Sequence, residues 1–147
     1  IMQPWLLFLA PHGITDVFDF HWSQILFSYS LGQFITLISP SFLRFTWLYL
    51  FSILHMRNDF RYYPWTSSIL LHLPWLINEK IAIGYLTFIH TPLHYRRTIG
   101  NGYKYSKIIS IILFTYLCSF IPDFELIDYH QYWIGVILGH IFVHELN

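Results

Sequence analysis

Six long stretches of this sequence contain no Asp, Glu, Lys or Arg, and this scarcity of charge is what most limits the possible fold. The stretches cover residues 20–43, 45–56, 62–78, 81–95, 108–122 and 129–144. Charged residues make up 11% of the chain, whereas an ordinary soluble domain carries about 25%. Because so few charged side chains cannot coat a chain of 147 residues, the composition predicts an integral membrane protein. The length indicates a single domain over residues 1–147.

The charge-free stretches predict an all-α fold, a polytopic membrane bundle of about six helices. We expect helices over 20–39, 41–56, 65–78, 81–95, 107–121 and 130–146, and the segment 2–10 could be the end of another helix. Several stretches are shorter than the roughly 20 residues that cross a bilayer upright. Some of these helices are therefore expected to be kinked, partly buried or non-spanning.

The charges between the predicted helices indicate an orientation. Basic residues without acidic neighbours occupy 96–107, namely Arg96, Arg97, Lys104 and Lys107. By the positive-inside rule this segment is expected to face the cytoplasm or its equivalent. The predicted location is a multi-pass protein of an organelle inner membrane or a bacterial plasma membrane, in contact with lipid. The formal net charge is zero, so no nucleic-acid partner is expected.

Four of the nine histidines are expected near one membrane depth and predict a metal site. They are His12, His55, His90 and His94, from three separate regions of the chain. His90 and His94 are four residues apart and so share one helix face. Imidazole suits Fe, Cu, Zn and Ni, and four neutral imidazoles leave coordination positions open on Fe(II). The alternative for any lone histidine is a hydrogen-bonded core or interface residue.

A second pair at the same spacing, His140 and His144, is a candidate for an additional ligand or a second metal site. The pattern differs from the zincin motif His-Glu-x-x-His, because Glu145 follows the pair instead of lying inside it. Gly135 and Gly139 form a G-x-x-x-G motif on the same predicted helix, which favours close contact with a neighbouring helix. Such packing is the alternative explanation for this segment.

Two of the candidate ligands are followed by an aspartate at the same distance. Asp16 comes four residues after His12, and Asp59 comes four residues after His55. A carboxylate at this spacing can accept a hydrogen bond from the imidazole ring and fix its tautomer. We therefore expect Asp16 and Asp59 to accept hydrogen bonds from the ring nitrogens of the metal ligands that do not bind the metal.

Three short segments resemble, in the same order, the histidine motifs of the Brp/Blh family of membrane β-carotene dioxygenases. They read Pro-His-Gly-Ile-Thr-Asp at 11–16, Ser-Ile-Leu-His-Met-Arg-Asn-Asp at 52–59 and His-Thr-Pro-Leu-His at 90–94. The resemblance implies a helical membrane protein in which His12, His55, His90 and His94 hold a non-haem iron. It also implies an apolar polyene substrate whose central double bond is cleaved to give retinal. No catalytic acid or base beyond the metal ligands is implied.

Two other functions fit the same composition. One is a small non-catalytic structural subunit of a larger respiratory or photosynthetic membrane complex, with other membrane subunits as partners. The other is a haem protein with two axial histidines. Haem is disfavoured because the histidines of the three motifs fall near the predicted helix ends instead of facing one another at mid-depth.

Overall fold

Helices are the regular elements throughout the part of the chain that this computed structural model describes, residues 13–57, 86–120 and 126–147. In chain order they are α1 Asp16–Asp19, α2 Trp22–Ile38, α3 Ser41–Met56, a π-helical turn Leu86–His90, α4 Thr91–Gly100, α5 Lys104–Cys118 and α6 Leu126–Leu146. This agrees with the predicted all-α class. The predicted helix at 65–78 and the segment 2–10 lie outside the described residues.

The prediction of a polytopic integral membrane bundle is wrong. Among the described helices, none is both long enough and apolar enough to cross a bilayer. Helices α2, α3 and α5 have 17, 16 and 15 residues, against the roughly 20 that an upright crossing needs. The multi-pass localisation in an organelle or bacterial membrane was inferred from that bundle and is contradicted with it. The prediction rested on the low charge of the chain, whereas a membrane crossing needs sufficient length and sufficient apolar character together in one helix.

The chain forms two compact units. Unit 1 comprises residues 1–19 and 58–124, and unit 2 comprises residues 20–57 and 125–147. Each unit therefore combines two distant segments of the sequence. The interpretation of residues 1–147 as one domain stays a prediction.

Unit 2 begins with a capped helix. The His21 ring accepts a hydrogen bond from the Ser23 backbone N–H at 3.3 Å, and the Gln24 side chain accepts one from the His21 backbone N–H at 2.8 Å. This reciprocal pair is a capping box, which satisfies backbone donors that a helix start leaves open. At the other end, Pro40 favours an extended backbone at Ser39, which has φ −89° and ψ 136°. Helix α2 therefore ends at Ile38, and α3 begins directly after the proline.

Two side chains fix the turn between α2 and α3. Arg44 donates from Nε to the Thr36 carbonyl at 2.8 Å, and Trp47 donates from Nε1 to Ser39 Oγ at 3.2 Å. Both bonds join the end of α2 to the first two turns of α3. The two helices are thereby held as one hairpin.

Glycines bring α2 and α6 into backbone contact, as the G-x-x-x-G motif predicted. A Cβ atom placed on Gly32 would lie 2.6 Å from both the Gly135 carbonyl oxygen and the Gly139 nitrogen. The adjoining core of unit 2 has Ile134, Leu138 and Phe142 buried at its centre, packed against Leu31, Ile35, Trp47, Leu48 and Phe51. Only residues without a side chain allow the two backbones to come this close.

In the described part of unit 1, a π-helical turn leads into α4. This turn covers Leu86–His90, and Pro92 lies in the first turn of α4. Proline lacks the N–H that would continue the regular hydrogen-bond ladder back into the preceding turn. A π-type turn, which is wider than an α-turn, is a known way for a helix to absorb such an interruption.

Unit 1 also contains a fully buried lysine. Lys107 donates from Nζ to Asp19 Oδ1 at 2.6 Å and to the Thr98 carbonyl at 2.6 Å. The Thr98 hydroxyl donates to the other Asp19 oxygen at 2.5 Å. The assignment of Lys107 to a basic loop facing the cytoplasm is therefore wrong, because its charge is neutralised inside the unit. Most of the predicted loop 96–107 is helical.

Candidate metal centre

Three histidines of unit 2 lie together, and we call His55, His140 and His144 the histidine cluster. His55 comes from the last turn of α3, and the other two lie one turn apart on α6. His55 and His140 are buried, with 9% and 2% of their surface exposed. Histidine is fully buried less often than apolar residues, so the contacts of these two rings matter.

The three rings lie close to one another in pairs. The ring centroids are 5.2 Å apart for His55 and His140, 4.6 Å for His140 and His144, and 5.5 Å for His55 and His144. The first two pairs are edge-on, with interplanar angles of 83° and 63°. His140 and His55 have ring nitrogens within 4.8 Å of each other, and so do His140 and His144.

These spacings match what a metal ion requires of histidine ligands. Imidazole nitrogens bind at about 2.0–2.1 Å, so the ring centroids of ligands in a tetrahedral site lie about 5 Å apart. The observed separations of 4.6–5.5 Å bracket that value. The buried histidines of this protein could therefore hold a metal ion.

Packing holds the ligand-bearing helices in place. Gly139, next to His140, would bring a Cβ atom to 2.7 Å from the Tyr29 Cα of α2. One turn before His55, the Phe51 ring stacks edge-on against Phe142 of α6 at 4.9 Å. These contacts set the distance between α3 and α6, and hence the separation of the rings.

A carboxylate adjoins the cluster. Glu145 Oε1 lies 3.4 Å from His55 Nδ1, and Glu145 Oε2 accepts a hydrogen bond from Arg57 at 2.7 Å. Arg57 also donates to the Leu54 carbonyl of α3. The nearby His55 ring and, after it, the Arg57 guanidinium hold the pKa of Glu145 below its usual range, although burial opposes them. Glu145 is therefore ionised at neutral pH.

Unit 1 holds the other described pair of candidate ligands. His90 and His94 are buried, with 2% and 4% exposure, and their rings are stacked at 6.1 Å with an interplanar angle of 26°. The Tyr95 ring lies 6.5 Å from that of His94, and burial raises the pKa of its hydroxyl above the usual range. The spacing of four residues thus places both histidines on the inner side of their helix.

The predicted site residues are distributed over both units. His12 and Asp59 lie outside the described residues. Asp16, His90 and His94 are all buried in unit 1, whereas His55 belongs to unit 2. A single site of four histidines backed by two aspartates stays a prediction.

The sequence predicted His140 and His144 as an additional ligand or a second metal site and did not connect them with His55. The spacing arguments also missed Glu145 as the neighbour of His55. The adjacency of Glu145 to His144 was the available signal. The structure shows that Glu145 neutralises Arg57 at 2.7 Å.

Comparisons with known protein families, with curated proteins and with solved structures found no match. The geometry of the described residues is therefore the basis for functional inference.

Proposed function

We propose that this protein binds a transition-metal ion through His55, His140 and His144 and uses it for oxidative chemistry. The observation that carries the proposal is the set of three imidazole rings in unit 2, with centroids 4.6–5.5 Å apart. Burial supports it further, because little water competes for the rings of His55 and His140. The rings also come from two helices that the core of unit 2 already holds together.

The donor set limits which metals are suitable. Imidazole nitrogen binds Fe, Cu, Zn and Ni, whereas Mg and Ca prefer oxygen ligands. We propose Fe(II), because the resemblance to the Brp/Blh family points to non-haem iron; of the four ligands that the resemblance implies, His55 is the one that belongs to the histidine cluster. Iron held by three imidazoles retains open coordination positions, at which it would supply the activation of dioxygen. Glu145 supplies a negative charge beside His55, and Arg57 balances it.

The proposed substrate is an apolar polyene of the β-carotene type. The overall reaction adds one dioxygen across a carbon–carbon double bond and gives two carbonyl products, so no further reductant is needed. What supports this choice is the resemblance at 11–16, 52–59 and 90–94. The described residues near the cluster add aromatic side chains, since Phe20 packs edge-on against His144 at 4.9 Å.

A second candidate function is a non-catalytic subunit of a larger assembly. Large apolar side chains are exposed along α5, where Ile109, Ile112, Leu113, Tyr116 and Leu117 are each 54–64% accessible. Contiguous apolar exposure of this kind typically marks a surface that another molecule covers. This candidate needs no metal, and metal binding therefore separates the two.

The test is metal binding by the full chain and its variants. We expect the purified protein to bind Co(II) or Fe(II) at one equivalent, and His140→Ala and His144→Ala to lose that binding. A matched control is His21→Asn, which removes a histidine of the same unit outside the cluster and keeps a residue suited to the helix cap. Retention of full affinity by both cluster variants would refute the metal site.

Catalysis requires its own measurement. Protein loaded with Fe(II) should convert β-carotene and dioxygen to retinal, and His140→Ala should abolish the product. A protein that binds metal but yields no carbonyl product from β-carotene or a shorter polyene would retain the metal site and reject the oxygenase. A metal-free protein isolated with partner chains would favour the subunit.

A further inference from the structure

We infer that Glu145 is a positioning residue of the metal centre, which selects the tautomer of His55 that can bind metal. The inference rests on the proposed function and adds a residue outside the ligand set. Glu145 Oε1 lies 3.4 Å from Nδ1 of His55, a ligand of the proposed site. Its own side chain is 15% exposed, so water competes little for its oxygens.

The contact determines which nitrogen of His55 remains a ligand. An ionised carboxylate only accepts hydrogen bonds, so its nearness favours the tautomer that carries the proton on Nδ1. The lone pair then resides on Nε2, the nitrogen on the opposite side of the ring. Histidines that bind metals commonly donate the other ring N–H to a carboxylate in this way, which fixes the ring orientation and raises ligand basicity.

Arg57 gives the carboxylate its direction. It donates to Glu145 Oε2 at 2.7 Å and also to the Leu54 carbonyl in the last turn of α3. Because Oε2 is engaged by the guanidinium, Oε1 is the oxygen left towards His55. One oxygen of the Glu145 carboxylate thus accepts a hydrogen bond from Arg57, and the other faces His55. Through its bonds to Glu145 and Leu54, Arg57 also connects the end of α6 to the end of α3.

One turn of α6 supplies both a proposed metal ligand and the carboxylate that orients another. His144 and Glu145 are neighbours on α6, so the same helix turn supplies a ligand of the cluster and the carboxylate that orients a ligand from α3. Asp59, which sequence spacing suggested for this role, lies outside the described residues. Glu145 fulfils the expected chemistry from a segment 90 residues away from His55 in the numbering.

The experiment uses the full chain in three variants. Glu145→Gln keeps the size of the side chain and removes its charge, Arg57→Gln removes the counter-ion, and Leu146→Gln alters the exposed neighbouring position as a control. Two measurements are made on each. Long-range ¹⁵N–¹H NMR of the metal-free protein reports the His55 tautomer, and chelator competition with Co(II) reports affinity.

We expect metal-free wild-type protein to carry the His55 proton on Nδ1. Glu145→Gln should lose that preference and bind Co(II) roughly 10–100-fold more weakly, the usual effect of removing such a partner. Its Co(II) absorption bands should keep their positions, because the ligand set itself is unchanged. Leu146→Gln should match wild type, and Arg57→Gln should show a smaller loss of affinity with the tautomer preference retained.

The outcomes separate this inference from the proposed function. A wild-type His55 with its proton on Nε2 overturns the inference without any variant, and so does Glu145→Gln with unchanged tautomer and affinity. If those results accompany intact metal binding, the proposed metal site stands. If wild-type protein binds no metal, the proposed function fails and the inference fails with it.

Discussion

Replacing Gly32 by Ala tests whether the backbone contact between α2 and α6 holds unit 2 together. The added Cβ would lie 2.6 Å from the Gly135 oxygen and the Gly139 nitrogen and 3.0 Å from the Gly139 Cα. All three atoms belong to the backbone, so no rotamer change can relieve the overlap and the helices must move apart. We take the upper end of the usual overpacking cost, about 3 kcal/mol.

Helix propensity works in the opposite direction. Alanine is favoured over glycine inside a helix by about 1 kcal/mol, so the expected net loss of stability is about 2 kcal/mol. In a chain of 147 residues this corresponds to a fall in Tm of about 6 °C. The assay is thermal unfolding followed by far-ultraviolet circular dichroism. The same separation of α2 from α6 should weaken Co(II) binding, because Gly139 adjoins His140.

Two other glycines provide controls. A Cβ on Gly135 would meet only the side chain of Gln33, which can move away, and one on Gly100 would meet nothing within 4 Å. Gly135→Ala should therefore cost less than Gly32→Ala, and Gly100→Ala should be neutral or stabilise by up to about 1 kcal/mol. A Gly32→Ala protein as stable as Gly100→Ala would refute the reasoning.

Three further predictions follow from the charged groups and the cluster. Asp19→Asn should destabilise the protein by about 3–5 kcal/mol in urea unfolding, because it leaves the buried Lys107 charge without its partner; a loss below 1 kcal/mol would mean that water reaches this lysine. The pKa of Glu145 is lowered from 4.5 in the folded state, so its stabilising effect is present above that pH and lost as the pH falls through the lower folded value. The urea midpoint of wild type should accordingly exceed that of Glu145→Gln at pH 6, and the difference should shrink as the pH falls below 4.5; a constant difference would contradict this. Co(II) at 100 times its Kd should stabilise wild type by about 2.7 kcal/mol, while His140→Ala should show no such increase in Tm.

The elements that sequence predicted well are those with strong local signals. Pro40 marks the boundary between α2 and α3, and residues 41–56 form a helix with the predicted bounds. The G-x-x-x-G motif correctly indicated close helix contact, because the absence of a side chain is a property of the residue itself. Pro40 and the G-x-x-x-G motif can both be recognised within one or two turns of helix, without knowledge of distant residues.

The wrong predictions for charged residues have a common physical cause. Lys107 was read as a basic loop residue because its partner, Asp19, lies 88 residues earlier in the sequence. Helix α4 continues through Arg96 and Arg97, although a hydropathy criterion ends it before these charges. Hydropathy averages treat each charge as exposed to solvent, whereas buried ion pairs form between segments that a local pattern cannot connect.

The candidate site shows the same limit. Spacing found the pairs His90–His94 and His140–His144, since residues four apart share a helix face. It could not find that His55 joins the second pair, because that depends on how α3 packs against α6. Spacing likewise proposed Asp59 for a role that the described geometry gives to Glu145.

The division of unit 2 into two distant segments has a consequence for how the protein emerges from the ribosome. Arg57 and Glu145 are 88 residues apart, so at about 5–20 residues per second the hairpin of α2 and α3 waits roughly 5–20 s for α6 to be made. During that interval α6 is not yet available to pack against Gly32 of α2 or against the His55 ring of α3. Nascent chains stalled between residues 58 and 124 should therefore recruit chaperones, and release should follow once α6 is available. Contacts of this long range also predict slow refolding from denaturant.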